Sequence, residues 1–208
     1  IQKQREKNIY FYFKNMIIYL SRHGQSIYNT EDRIGGNSNL SPTGQIYALK
    51  LASYMNNLSN IEIWTSSLLR TINTAALLNF PKIIYKNLDE INAGDFENVT
   101  FGEFKKNYFE EYNKRQLNKL KYKYSNGESY LDLIERVNPF VKKAIHKAEK
   151  GPLLIIAHQA VLRVIYGKLM NYDDEEIPHL SIPLHTIFKI ELNDEWEVIG
   201  EEKIEFEI

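Results

Sequence analysis

Apolar residues recur along this chain in two rhythms, short unbroken runs and stretches with helical spacing. Met16 to Leu20 is an apolar run that ends at a polar turn, the pattern of a buried strand. Leu153 to Ala157 is a second such run and is expected to be buried on both faces. Ile61 to Thr65 and Lys82 to Tyr85 read as two more strands, and Thr186 to Leu192 with Glu195 to Gly200 as a closing pair. Asn39 to Gly44 is a turn in which Ser41 caps, and Pro42 opens, a helix carrying Ala48, Leu51, Ala52, Met55 and Leu58 on one face. Ser66 to Leu78 and Gln159 to Met170 also read as helices. Ser129 and Asp132 resemble a capping box. The helix behind them buries Ile134, Val137, Val141, Ala144, Ile145 and Ala148, ends near Gly151 and is expected to kink at Pro139. Phe101 to Tyr124 is polar, aromatic and basic, and is expected to be helical in pieces.

Strands alternating with helices imply an α/β fold, a three-layer sandwich around a mostly parallel central sheet. Sheets of this kind place ligands at the carboxyl ends of their strands. Two of those ends carry histidine: His23 follows the first strand and His158 follows the strand at Leu153 to Ala157.

Composition narrows the options. The 208 residues suit one domain with a short extension, and 43% hydrophobic content supplies a core without disulfides or metal staples. Residues 16–208 are expected to form the domain, and 1–15 an N-terminal extension or linker remnant, with Met16 a candidate natural start. Twenty-six basic and 27 acidic residues give a net charge of −1, with no sign of a nucleic-acid-binding face. Apolar runs are too short to span a bilayer, so no membrane partner is expected. The absence of cysteine removes thiol chemistry and fits a reducing, cytoplasmic setting. No His, Asp and Glu cluster has metal spacing, so neither metal nor cofactor is expected.

Chemistry concentrates around Ser21-Arg22-His23-Gly24. A neutral imidazole is a competent nucleophile toward phosphorus when its other nitrogen is held. An adjacent guanidinium matches phosphate oxygens, and glycine lets the backbone approach a ligand. By itself Arg-His-Gly is a short motif that an ordinary turn also produces. Around it, however, Asn29 and Arg33 follow closely ahead of Gly35, Arg70 lies beside Thr65-Ser66-Ser67, and His158-Gln159 ends another strand. Arg115 and Lys119, and likewise Gln159 and Arg163, are four residues apart, the spacing that puts two side chains on one helix face. His146, His179 and His185 are expected to pack or cap locally.

Arg22-His23-Gly24, Arg70 and His158 match the signature of the histidine phosphatase superfamily, the phosphoglycerate mutase-like fold. The likeness extends over residues 17–192. Ile18 to Ser26, Gly35 to Ser41, Trp64-Thr65-Ser66, Leu88 to Gly94, Gly127 to Tyr130, His158 to Arg163 and Pro183 to Thr186 resemble the fructose-2,6-bisphosphatase domain, in that order. The resemblance implies that His23 attacks the 2-phosphoryl group of fructose 2,6-bisphosphate and becomes phosphohistidine. Arg22, Arg70 and His158 would hold the equatorial oxygens, Asn29 would donate to the same group, and Glu90 would act as general acid and then base. Glu90 would have to start protonated, with burial raising its pKa against the cations around it. Arg115, Lys119, Tyr130, Gln159 and Arg163 would hold the 6-phosphate and the sugar, and Arg33 and Gly35 would line the site.

Two positions depart from the family pattern. Gln25 replaces a common Glu, which touches a peripheral polar contact, and Phe101 replaces a frequent Tyr, which removes a hydroxyl from the sugar site. The family's bifunctional enzymes carry a kinase domain ahead of the phosphatase. No G-x-x-x-x-G-K-[ST] segment occurs in this chain, so it is at most the phosphatase half, with a kinase domain expected, if present, only upstream in the full-length product. The alternatives are a broad-specificity phosphomonoesterase or phosphoglycerate mutase of the same fold, and a catalytically silent phospho-ligand binding module.

Overall fold

The computed structural model describes residues 16–208; the expected extension at 1–15 lies outside the described residues. Six strands form one sheet, β1 (Met16–Arg22), β2 (Glu62–Thr65), β3 (Lys82–Ile84), β4 (Leu153–Ala157), β5 (Thr186–Leu192) and β6 (Val198–Glu205), in the order β3-β2-β4-β1-β5-β6. The β1–β4, β2–β4 and β2–β3 pairs are parallel, and β5 and β6 close the sheet antiparallel. Among the described residues there are seven α-helices: α1 (Ile27–Thr30), α2 (Pro42–Met55), α3 (Leu69–Ala75), α4 (Phe101–Asn107), α5 (Phe109–Leu117), α6 (Tyr130–Ala148) and α7 (Gln159–Leu169).

Alternation along the central strands divides the interior into two layers. Ile18 and Leu20 of β1, with Leu153, Ile155 and Ala157 of β4, pack against α6 and α7. Tyr19, Leu154 and Ile156 point the other way, into Tyr47, Leu51 and Met55 of α2. All five residues of β4 are buried, as a strand between two helical layers requires. A third, aromatic cluster of Ile34, Phe96, Phe104 and Tyr124 lies under α4 and α5.

Three boundaries differ from the sequence expectation. α2 stops at Met55, short of Leu58, and the Asn56 side chain donates to Leu77 O and accepts from Asn79 N. The helix expected over 66–78 spans only Leu69–Ala75. The hydroxyls of Ser66 and Ser67 are engaged by His158 and Asp89, which holds these residues in a turn. The last strand lies at Val198–Glu205 rather than 195–200, because Asn193 Oδ1 accepts from the amides of Glu195 and Glu197 and closes a hairpin turn first. Ser41 and Ser129 cap α2 and α6, the latter in a full capping box with Asp132, and α6 continues through Pro139 as one helix. Among the described residues, no helix is long and apolar enough to cross a membrane.

One close approach holds the loop after β1. Gly24 and Gly44 meet backbone to backbone: a Cβ on Gly24 would lie 2.5 Å from Gly44 O, and one on Gly44 would overlap Gln25 O. Neither atom is on a flexible side chain, so the clash must be relieved by moving the loop. Gly44→Ala is therefore expected to lower stability by about 2 kcal/mol, read from the urea midpoint, and to displace His23 from its strand-end position.

Candidate active site

Strand register builds the site. Arg22 of β1 pairs with Ala157 of β4, and His23 N donates to Ala157 O at 3.0 Å, so the two residues that follow the strands emerge side by side. The rings of His23 and His158 stand 5.2 Å apart between centroids. Arg70, on α3 after β2, completes the group: its Nε lies 3.1 Å from His23 Nε2 and 3.1 Å from His158 Nδ1. Its Nη1 donates to Gly36 O at 2.7 Å.

These contacts define the protonation of both rings. His23 Nδ1 lies 2.7 Å from Gly24 O, which only accepts, so Nδ1 carries the proton and Nε2 offers its lone pair. Both imidazoles are buried. Burial foremost, then the Arg70 guanidinium, pushes each well below the ordinary histidine pKa, so both rings are uncharged. Arg22 is half-buried; desolvation lowers its pKa to about 10, leaving it charged at neutral pH. Its Nη1 donates to Ile182 O at 3.0 Å, while its buried Nε has no partner among the described residues.

In front of the histidines opens a cavity whose wall carries six cations, Arg22, Arg33, Arg70, Arg115, Lys119 and Arg163, and one carboxylate, Glu90. That balance favours an anionic ligand. Twelve of the thirteen residues expected at the site line this cavity: His23, Glu90, Arg22, Arg70, Asn29, Arg33, Gly35, Arg115, Lys119, Tyr130, Gln159 and Arg163. His158 is the thirteenth and sits behind them against Arg70. Glu90 Oε1 accepts from the amide of Ala160, in the first turn of α7, at 3.1 Å. The loop that carries it is clamped by Arg136, which donates to Asn87 O and Asp89 O and forms a bidentate pair with Glu128. Asn29 Oδ1 is taken by Ser26 N in a capping box, which leaves its amide nitrogen for the cavity. Gly35 has φ +61°, and its Cβ position is filled by the Glu97 carboxylate, which also accepts from Gly36 N. Arg33 is more exposed, paired with Glu31 and donating to Asn98 O.

One spacing argument fails. Arg115 and Lys119 share the cavity but not a helix face, since α5 ends at Leu117. Arg115 is instead fixed by Tyr124, whose hydroxyl accepts from its Nε at 2.8 Å, and lies beside the Phe101 ring. Lys119 is placed by Pro178 O at 2.6 Å, as Arg163 is by Leu180 O at 2.6 Å. With Ile182 O on Arg22, three alternate carbonyls, at 178, 180 and 182, each hold one cavity cation. Carbonyl dipoles position these cations without neutralising them. This device was invisible in the sequence, because main-chain acceptors leave no signature in residue type. Tyr124 and Tyr28 at the cavity wall were also missed; only their lying within an aromatic, basic stretch and beside Asn29, respectively, pointed to them. Gln25 contributes a peripheral contact, with Oε1 accepting from the Ser41 hydroxyl that caps α2. His146 packs on Trp196, and His185 packs on Tyr47.

Burial, with Arg163 and Arg115 nearby, lowers the Lys119 pKa to about 7. A bound phosphate dianion reverses that shift, so binding above this pH takes up a proton and weakens as pH rises. Calorimetry of phosphate-ester binding at a pH of about 8, where the ester is already a dianion, is expected to show proton uptake. That uptake should be smaller by up to one proton in Lys119→Gln.

The histidine phosphatase superfamily (branch 1) matches residues 18–201. The chain is 43% identical over 199 residues to the fructose-2,6-bisphosphatase of Saccharomyces cerevisiae, covering 92% of this chain and 43% of that protein. It is 44% identical over 180 residues to the 6-phosphofructo-2-kinase/fructose-2,6-bisphosphatase of Arabidopsis thaliana, covering 84% of this chain and 24% of that one. It thus spans less than half the length of these curated relatives. Among solved structures, the α-ribazole phosphatase of Shigella flexneri superposes with a TM-score of 0.81 at 23% identity, covering 88% of this chain and 93% of that one. A mycobacterial glucosyl-3-phosphoglycerate phosphatase does so at 0.78 and 20%, covering 92% and 98%. With its α/β sandwich and a family match across nearly the whole described sheet, the chain belongs to the histidine phosphatase superfamily.

Proposed function

We propose that residues 16–208 form a phosphatase domain that hydrolyses the 2-phosphate of fructose 2,6-bisphosphate, giving fructose 6-phosphate and phosphate through a phosphohistidine at His23. The observation that carries this reading is an uncharged imidazole whose Nε2 lone pair faces a cavity lined by six cations. The names of the fructose-2,6-bisphosphatase relatives supply the substrate.

In this reading the entering phosphoryl group takes the Arg70 Nε–H that His23 shares in the free site, which frees Nε2 to attack phosphorus. Gly24 O holds the Nδ1 proton and keeps the ring aimed. Arg22, Arg70, His158 and the Asn29 amide receive the oxygens on which charge gathers as the bond to the sugar breaks. Glu90 gives a proton to the leaving oxygen and later takes one from the water that attacks the phosphohistidine. Arg115, Lys119, Tyr130, Gln159 and Arg163 hold the 6-phosphate and sugar, with Arg33 and Gly35 at the rim. No metal or cofactor enters the scheme. A cytoplasmic location goes with it, and so does a kinase domain upstream in the full-length product, as the names of bifunctional relatives suggest.

Acid-quenched incubation with labelled fructose 2,6-bisphosphate is expected to leave label on His23. His23→Ala should abolish both the label and phosphate release, a loss of at least about 10³-fold, and Glu90→Gln should cut kcat about 10²-fold. Faster release from phosphoglycerates or an aryl phosphate than from the sugar bisphosphate would replace this reading with a mutase-type or broad phosphomonoesterase. Absence of turnover on every substrate would leave a binding module.

Phe101 lies at the cavity wall beside Arg115, where a tyrosine would place a hydroxyl. Phe101→Tyr is expected to lower KM for the sugar bisphosphate about fivefold, the worth of one ordinary hydrogen bond, with kcat unchanged.

A further inference from the structure

His158 is fully buried and is held at both ring nitrogens. Nδ1 faces Arg70 Nε, and a guanidinium only donates, so Nδ1 is the acceptor. In the uncharged ring the proton is then on Nε2, which lies 2.7 Å from Ser66 Oγ. Ser66 Oγ also accepts from Leu68 N at 3.1 Å, so both of its lone pairs are engaged. Its own proton goes to Thr71 Oγ1 at 2.8 Å, and Thr71 donates in turn to Leu68 O at 2.9 Å. Ser66 and Thr71 are both fully buried. Donation thus runs one way, from Arg70 through the ring and two hydroxyls to a main-chain carbonyl, and no donor faces another donor.

We propose that Ser66 is a positioning residue of the site, whose hydroxyl holds His158 in the Nε2–H form so that Nδ1 is the nitrogen presented to the phosphoryl group. The inference rests on the phosphatase reading above. When a phosphoryl group takes over the Arg70 Nε–H, the Nδ1 lone pair is released. It takes a proton from the P–OH of the incoming monoanion, or from solvent. One O–H bond breaks and one N–H bond forms, and nothing else changes. The imidazolium donates to a phosphoryl oxygen through Nδ1 and still donates to Ser66 through Nε2. Without the Ser66 hydroxyl, Nε2–H would be buried without an acceptor, and the tautomer with its proton on Nδ1, which opposes Arg70, would gain population.

Nitrogen-15 spectra of the histidine rings in the free protein test this directly. In the wild type, His158 is expected to be uncharged and protonated at Nε2. In Ser66→Ala that signal should give way to a mixture of tautomers. Its kcat on fructose 2,6-bisphosphate should fall about tenfold, the equivalent of one lost hydrogen bond, with KM within about twofold. Ser66→Thr, which keeps the hydroxyl, should restore both readouts. A wild-type His158 protonated at Nδ1, or a folded Ser66→Ala with unchanged ring signals and kcat, overturns the proposal. If Ser66→Ala does not fold, Thr71→Val decides. Deprived of Thr71, the Ser66 proton turns to Nε2 and His158 should shift toward the Nδ1–H form; unchanged signals overturn the proposal. A wild type that releases no phosphate defeats the phosphatase reading, while the ring spectra of the free protein still decide the role of Ser66.

Discussion

Parallel pairing of β1 with β4 is the constraint on which the rest of the site depends. Strand register is strongly specified where both faces are buried, because a slip of one residue would turn every apolar side chain to the wrong layer. Ile18 and Leu20 must meet one helical layer, and Tyr19 the other. With that register set, Arg22 and Ala157 are partners, and the next residues, His23 and His158, have to emerge together. Core packing therefore fixes a distance between two rings that contribute almost nothing to the core themselves.

Around this pair the chain leaves four cavity cations, Arg22, Arg70, Lys119 and Arg163, without a salt bridge among the described residues. Buried cations are ordinarily paired with carboxylates. Here Arg22, Lys119 and Arg163 are held by the carbonyls of Ile182, Pro178 and Leu180, and Arg70 by Gly36 O and the two rings. Carboxylates are used one shell further out. Glu97 ties the Gly35-Gly36 loop, Asp89 holds Ser67, and Glu128 pairs with Arg136 behind Glu90. The cations stay aimed at the cavity, and the burial and neighbouring charges that lower the Lys119 pKa are left for an anion to offset.

The distal wall has a separate origin. Phe96, Phe104, Tyr108, Tyr112, Tyr122 and Tyr124 form edge-to-face and tilted contacts that give the segment between β3 and α6 a small core of its own. It brings Arg115, Phe101 and Tyr124 over the sheet end, opposite the histidines. The distal wall of the cavity is thus built by a segment separate from the strands that position His23 and His158.

Much of this was legible in residue order alone. The apolar runs of β1, β4 and β5, the caps at Ser41 and Ser129, and the motif series around His23, Glu90 and His158 carry enough local and ordered information to identify the fold and family. Boundaries at α3 and β6 were not legible, because Ser66, Ser67 and Asn193 spend their side chains on partners that only folding brings near. The same holds for the Arg115 and Lys119 geometry and for the carbonyls of 178–182. The sequence determined which groups are present and which strand ends bear them, since periodicity and motif are properties of neighbours in the chain. Tertiary structure alone decided the ring tautomers, the lowered Lys119 pKa and the partners of each cation, because these depend on burial and on contacts between residues far apart in the chain.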